Sequence, residues 1–354
     1  MKKILIITDA WKPQTNGVVT TLGNLINNLE QLDFKVKVIS PQDFKTINCP
    51  GYNNIDISLN VWKVGSLIQD FNSDFIHIAT EGPIGLTAKI YCDINNLSYS
   101  TSYHTNFPDY LNSFYNVPVS FTYSYIKFFH KKSVAIMVAT KSIENDLKLR
   151  GFKNLKQWSR GVDLSLFDSK LRTRQVNEEK RLVCVSRVSK EKNLEAFFNL
   201  NINAKKIMIG DGPMLKDYKE NYRDVEFKGF LFGKELKKEY SNADVFVFPS
   251  LTDTFGLVVI ESFACGTPVA AFNAPGPRDI IENGLNGYFG ENLEENVKKC
   301  FKLDRDKGLD PRVLALQDAS GFDSASGPKS QTGAPLDIAI DGEGYFLVKP
   351  ENGN

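Results

Sequence analysis

Asp253 and Glu261 are two carboxylates in an otherwise apolar stretch, Ser250-Leu-Thr-Asp-Thr-Phe-Gly-Leu-Val-Val-Ile-Glu-Ser-Phe-Ala-Cys-Gly-Thr-Pro268. Between Leu257 and Cys265 only Glu261 and Ser262 are polar. A carboxylate in such surroundings is costly unless something hydrogen-bonds it. One isolated Glu of this kind ordinarily points to solvent. The Asp253 loop and the Phe255-Gly256 helix start tip the reading towards a ligand, because free backbone N–H groups at a helix N-terminus favour an anion. No further carboxylate or histidine lies nearby in sequence, which argues against a metal pair. Carboxylates accept from hydroxyl groups, so sugar or ribose O–H groups suit these two best.

Four other segments carry groups of interest. Thr8-Asp-Ala-Trp-Lys-Pro-Gln-Thr-Asn-Gly17 follows a buried run and opens a helix, where Gly17 would let a ligand approach the backbone; a plain strand-to-helix loop is an equal reading. Ser102-Tyr-His104-Thr-Asn-Phe-Pro-Asp109-Tyr110 sets His104 just past another apolar run, where a structural and a catalytic histidine are evenly matched. Val185-Ser-Arg187-Val-Ser-Lys-Glu-Lys192 supplies two cations suited to a diphosphate, against the ordinary alternative of solvated charge. Ile209-Gly-Asp-Gly-Pro213, with Gly210, is a tight turn and a weak signal alone.

The elements that must position these residues are legible as rhythm. Short apolar runs at 4–7, 36–39, 75–79, 99–103 and 134–139 alternate with longer amphipathic segments. A second series follows at 182–185, 207–209, 225–227, 245–248 and 268–272. This spacing predicts parallel, doubly wound sheets and an α/β fold. Asp244–Ser250 reads as an inner strand, and Gly266 with Pro268 as the stop of the helix carrying Glu261. The expected organisation is a Rossmann-like domain over 1–165, a polar linker over 166–179, a second Rossmann-like domain over 180–306, and a tail over 307–354. Two facing domains would hold a ligand in the cleft between them, beyond the carboxyl ends of the strands.

A chain of 354 residues exceeds one ordinary core, in agreement with two domains. A net charge of +1 gives no basic excess for a nucleic-acid binder. Five scattered cysteines without CxxC spacing predict reduced thiols and a cytoplasmic protein. The N-terminal apolar run is too short for a signal peptide, and no run of eighteen apolar residues exists.

In combination these motifs resemble the retaining glycosyltransferases of family 4, which have the GT-B fold. The resemblance rests on Asp253…Glu261, Arg187…Lys192, Gly-Asp-Gly-Pro and Gly17, and runs from Met1 to about Asp306. Asp253-Thr-Phe-Gly, Pro275-Gly-Pro-Arg-Asp279 and Ser102-Tyr-His-Thr point to the branch of sulfoquinovosyl-diacylglycerol synthases and bacterial α-mannosyltransferases. It implies a UDP- or GDP-linked sugar as donor and no metal or other cofactor. It implies that Glu261 binds the ribose and Asp253 the transferred hexose. Phe255, Gly256 and Leu257 would give backbone donors, and Arg187 and Lys192 would stabilise the leaving diphosphate. Gly17 would approach the donor and His104 would sit on the acceptor side. The commoner first acid of the family is Glu, one C–C bond longer than Asp253, ~1.5 Å.

The segment Phe121-Thr-Tyr-Ser-Tyr-Ile-Lys-Phe-Phe-His-Lys-Lys132 interleaves aromatics with Lys as an interfacial helix does, the alternative being a packing helix with a basic end. The expected acceptor is a membrane lipid such as diacylglycerol or a glycolipid, or another glycan, reached at the inner face of the plasma membrane. From Lys307 onward the chain turns rich in Gly, Ala, Ser and Asp, with 4 basic and 7 acidic residues. Its end, Leu336–Val348, predicts a β-hairpin, and Thr332–Phe346 resembles flagellar hook and basal-body rod proteins. The expectation is a truncated or chimeric transferase, inactive if closure needs absent helices. A flagellar structural role would leave the carboxylates and cations unexplained. A nucleotide-sugar epimerase or dehydrogenase is opposed by the lack of GxGxxG and YxxxK.

Overall fold

The computed structural model describes residues 1–49, 52–108, 117–164, 166–167 and 179–303. The tail over 307–354, most of the 166–179 linker, and Asp109 and Tyr110 lie outside these residues. The chain divides into two compact units, Met1–Gln157 with Thr252–Thr254, and Trp158–Leu251 with Phe255 onward.

The first unit is built on a six-stranded sheet of order β2-β1-β5-β6-β7-β8. Its strands are β1 (Lys3–Ile7), β2 (Lys35–Ile39), β5 (Phe75–Ile78), β6 (Ser100–Tyr103), β7 (Ile136–Val138) and β8 (Leu155–Gln157). All neighbours in the sheet pair in parallel. Helices α1 (Gly17–Gln31), α2 (Val64–Phe71), α3 (Pro83–Ile94), α4 (Val119–His130) and α5 (Lys141–Leu149) accompany it. An antiparallel pair, β3 (Thr46–Cys49) and β4 (Tyr52–Ser58), stands apart from the sheet.

The second unit repeats the scheme with order β11-β10-β9-β12-β13-β14, again parallel throughout. These strands are β9 (Arg181–Val185), β10 (Lys205–Ile209), β11 (Val225–Gly229), β12 (Val245–Phe248), β13 (Val269–Phe272) and β14 (Gly287–Gly290). Its helices include α6 (Glu195–Phe198), α7 (Leu215–Asn221), α8 (Gly233–Asn242), α9 (Leu257–Ala264), α10 (Pro277–Ile280) and α11 (Leu293–Cys300).

Side-chain alternation explains why both faces of this sheet are covered. In β12, Val245 and Val247 enter one core cluster with Leu182, Met208 and Val297, while Phe246 and Phe248 enter another with Val183, Ile207 and Val259. All four β12 residues are buried. Each such side chain contributes about 1.5–3 kcal/mol by leaving water, which a strand covered on one face would collect at every second position only. The GT-B fold expected from the sequence is therefore present in its two parallel-sheet, Rossmann-like units.

Candidate functional site

In the second sheet, β9 leads outward to β10 and β11, and the chain then returns to the other side of β9 as β12. The carboxyl ends of β9 and β12 thus flank a topological switch point, where open α/β sheets bind ligands. The loop leaving β9 is fixed by its backbone. Ser186 N–H donates to the Ile209 carbonyl at 3.0 Å and Val188 N–H to the Asp211 carbonyl at 2.9 Å. A 3₁₀ turn over Lys190–Lys192 follows, ended by Asn193 in the left-handed region at φ 52°. The Asn193 side-chain amide donates to the Pro249 carbonyl at 3.1 Å, fastening this loop to the end of β12. Arg187 and Lys192 are half-buried here, whereas Lys190 is exposed.

Gly210 sits beside that loop with φ 134°, and a Cβ on it would lie 1.9 Å from the Ser186 carbonyl oxygen. Glycine is required by the close approach of two strand-end loops, which accounts for the residue without any ligand.

Asp253 lies half-buried in the loop from β12 to α9. Phe255 is buried, and Gly256 is the N-cap of α9 at φ 91°, with its Cβ position 3.2 Å from the Phe248 ring. No side chain caps α9, and of its first amides that of Val259 donates back to the Gly256 carbonyl at 2.9 Å. At the other end Gly266 N–H bonds the Phe263 carbonyl and Thr267 N–H the Ser262 carbonyl, the αL stop expected of Gly266.

Glu261 is reached from within the protein. The Tyr240 hydroxyl of α8 donates to Glu261 Oε2 at 2.9 Å. Burial raises the Glu261 carboxyl above its ordinary value, opposed by that hydrogen bond. Burial and the neighbouring carboxylate push the Tyr240 phenol well up, so it stays a protonated donor. In the sequence alone, a ligand is the one evident hydrogen-bond partner for this carboxylate. Tyr240 was missed because it lies 21 positions away on another helix, inside the Leu236–Tyr240 apolar face.

In the first unit, Gly17 opens α1, but Asn16 supplies the cap. Its Oδ1 accepts from the amides of Val18 and Val19, each at 3.0 Å. The N–H groups expected to greet an anion are there already occupied by the chain. His104 is half-buried directly after β6. The strand beneath it is held by His77 of β5, whose two ring nitrogens meet Ser100 Oγ at 2.9 Å and Ser102 Oγ at 3.0 Å.

The switch point of this sheet, between β1 and β5, holds a group the sequence reading passed over. Asp9 accepts from Ile84 N–H at 2.8 Å, Gly85 N–H at 3.2 Å and Thr80 Oγ1 at 2.9 Å. Desolvation by burial nevertheless pushes its carboxyl up to about 6, against those three bonds and helped by the nearby Glu81 charge. Asp9 thus fills the N-terminus of α3 itself. In sequence the segment carrying Asp9 stands out for Gly17, whereas Thr80, the fold partner of Asp9, is 71 positions away.

Helix α4 buries Thr122, Ile126, Phe129 and His130, and exposes Phe121, Lys127 and Phe128. His130 is therefore a core residue, with Nδ1 2.8 Å from Thr101 Oγ1, and not part of a basic end. Among the described residues no group of three or more His, Cys, Asp or Glu is placed to hold a metal ion, and no helix is long and apolar enough to cross a membrane.

Two family models match the chain: Glycosyltransferase Family 4 over residues 15–166 and Glycosyl transferases group 1 over residues 168–300. Neither match extends into the tail. The sulfoquinovosyl transferase SQD2 of Arabidopsis thaliana is 29% identical over 328 residues, 82% of this chain and 64% of that protein. The alpha-monoglucosyldiacylglycerol synthase of Streptococcus pneumoniae is 26% identical over 82% of this chain and 76% of its own length. Among solved structures, Anabaena HepE, crystallised with UDP and glucose, shares the fold at a TM-score of 0.66 and 20% identity, covering 90% of this chain and 95% of the other.

Proposed function

We propose that this chain, whose two halves match glycosyltransferase families, moves a hexose from a nucleoside diphosphate sugar to a lipid acceptor with retention at the anomeric carbon. The observation that carries the reading is the second unit's switch point. There, two half-buried cations on a fastened loop, a helix N-terminus without a side-chain cap and a half-buried carboxylate are all built on the elements that leave β9 and β12.

In this reading the bond from the anomeric carbon to the terminal phosphate oxygen breaks, and the electron pair leaves with the nucleoside diphosphate. The acceptor hydroxyl oxygen forms the new bond on the same face and passes its proton to the departing phosphate oxygen. Charge grows on the leaving phosphate, so fixed positive groups aimed there lower the barrier more than they tighten ground-state binding. Arg187 and Lys192 take that part, with the first amides of α9 adding aligned N–H dipoles. Glu261 accepts from ribose hydroxyls and Asp253 from hydroxyls of the sugar, with Phe255, Gly256 and Leu257 lining the approach. No metal is assigned, because two cations and a helix terminus can carry the diphosphate charge. Gly17 and His104, on the first unit, take the donor-approach and acceptor roles that the family resemblance implies. Gly210 keeps a place near the diphosphate by proximity to Ser186, its glycine identity being set by packing.

The lipid half of the reading is supported by the relative whose name is a diacylglycerol glucoside synthase and by the exposed Phe121, Lys127 and Phe128 of α4. An aromatic and basic exposed face suits an interface with anionic lipid on the cytoplasmic side.

The test is transfer from labelled UDP- and GDP-sugars to diacylglycerol vesicles, with EDTA present throughout. Labelled glycolipid that survives EDTA is the expected result. Activity that needs added divalent metal would overturn the metal-free mechanism, and oxidation of the sugar in place of transfer would overturn the reaction class.

A further inference from the structure

Glu261 meets, among the described residues, one side-chain partner. That partner is the Tyr240 hydroxyl, 2.9 Å from Oε2. The tyrosine is 0% exposed. Its ring packs edge-on to Phe167, with centroids 6.1 Å apart, and tilted against Phe246 at 5.5 Å. Its backbone carbonyl accepts from Thr267 Oγ1 at 2.6 Å, just beyond the end of α9. The last turn of α8 is therefore tied to α9 at two points, one on its side chain and one at its C-terminal stop.

We propose that Tyr240 is the positioning residue for donor recognition: its hydroxyl holds one oxygen of Glu261 so that the other accepts from ribose hydroxyls. This rests on the reading of Glu261 as the ribose ligand. The chemistry follows from the bond count. An ionised carboxylate has two oxygens and about four acceptor sites, and a phenol with one O–H fills one of them. A buried carboxylate with no donor would lower its cost by taking a proton, and a protonated acid is a poorer acceptor for two hydroxyls. Tyr240 counters this by favouring the charged form. A ring held by Phe167 and Phe246 also restrains Glu261, so less of the rotamer freedom of a glutamate on a helix face is left to lose on binding.

Calorimetric titration of the full chain tests this with UDP, with GDP, and with the dideoxy form of whichever binds more tightly. Tyr240→Phe keeps the ring and removes only the hydroxyl. It is expected to weaken the nucleotide ~10-fold and its dideoxy form less than ~2-fold, the size of one hydrogen bond to a charged group. Glu261→Gln is expected to erase the preference for the ribose hydroxyls. Equal weakening of both ligands by Tyr240→Phe, or no weakening of either, while Glu261→Gln still erases the preference, overturns the role of Tyr240. A preference left intact by Glu261→Gln, or no binding by the unchanged chain, overturns the functional reading instead. If Tyr240→Phe does not fold, the Tyr240→Phe/Glu261→Gln pair, which removes the unpaired carboxylate as well, is compared with Glu261→Gln alone. Equal nucleotide affinity is then expected, and a further ~10-fold loss would mean that Tyr240 acts other than through Glu261.

Discussion

Asn193 and Pro249 join two strand ends that are 56 residues apart in sequence, through a 3.1 Å bond from the Asn193 side-chain amide to the Pro249 carbonyl. The contact spans the β9–β12 switch point one residue after Lys192, so its loss acts on the site and on the fold together. Asn193 also occupies the left-handed region, which separates two substitutions. Asn193→Gly keeps the backbone and loses the bond, costing about 1 kcal/mol. Asn193→Ala adds the left-handed penalty of roughly another 1 kcal/mol. Urea midpoints should rank wild type, Gly, Ala in that order, and both variants should raise the donor KM. Equal midpoints for all three would show that the bond contributes nothing.

Gly210 and Gly229 both have positive φ and lie on neighbouring strand ends, yet their surroundings differ. The Cβ position on Gly210 meets a carbonyl oxygen at 1.9 Å, and that on Gly229 meets nothing within 4 Å. Gly229→Ala should cost only the conformational penalty, about 1–2 kcal/mol. Gly210→Ala must in addition push two loops apart and should exceed ~4 kcal/mol, at the tail of single-site effects. Comparable melting temperatures for the two variants would contradict this.

What could be read beforehand followed burial. Eight of the ten expected apolar runs are the interior strands of the two sheets, because a parallel strand covered on both faces needs continuous apolar residues, and the other two are the edge strands β2 and β11. β8 and β14 are edges like β2 and β11, but Leu155-Lys-Gln and Gly287-Tyr-Phe-Gly carry less apolar signal than those two. The β3–β4 hairpin, with Asn and Asp among its residues, belongs to no sheet core and left no rhythm. Tyr240 of the second unit and Asp9 of the first carry no local motif. Their meaning resides in partners 21 and 71 positions distant, and one sequence displays no such pairing.

Asp9 gives a pH dependence with a defined sign. Its folded value, about 6, lies above the 3.8 of an ordinary Asp. The folded state therefore binds more protons between these values, and this group's contribution to stability improves as pH falls from 7 to 4. The difference is worth up to about 3 kcal/mol. Asp9→Asn removes the titration. Measured by urea unfolding, the stability of wild type relative to Asp9→Asn should rise by that amount from pH 7 to pH 4. A constant difference across this range would mean that the three hydrogen bonds fully offset burial.

The exposed side of α4 predicts a separable membrane phenotype. Phe121 is 71% exposed and, unlike Phe129, belongs to no core cluster of the described residues. Phe121→Glu with Lys131→Glu should leave the unfolding free energy within the ~0.5 kcal/mol of ordinary surface changes. Flotation with anionic liposomes should fall sharply and remain weak at any salt concentration, whereas wild-type flotation should weaken only as salt rises. Equal flotation of both proteins would remove α4 from the lipid reading, and with it the chief physical support for a membrane acceptor.

The cations yield the most direct prediction, because three of them share one short loop in different settings. Arg187 and Lys192 are half-buried beside the β12 end, and Lys190 is exposed on the same turn. If the site stabilises charge on a departing diphosphate, Lys192→Ala and Arg187→Ala should each lower kcat by ~10²–10³, as removal of one fixed transition-state donor does. Their donor KM should change much less, since charge that grows only during bond breaking is not felt in the ground state. Lys190→Ala should leave both constants unaltered. All three should melt close to wild type, since none is a core residue. A fall in kcat/KM carried entirely by KM would mean that the pair only anchors the diphosphate. Loss of activity with Lys190→Ala equal to the others would mean that the loop's net charge matters and that neither cation is specifically aimed.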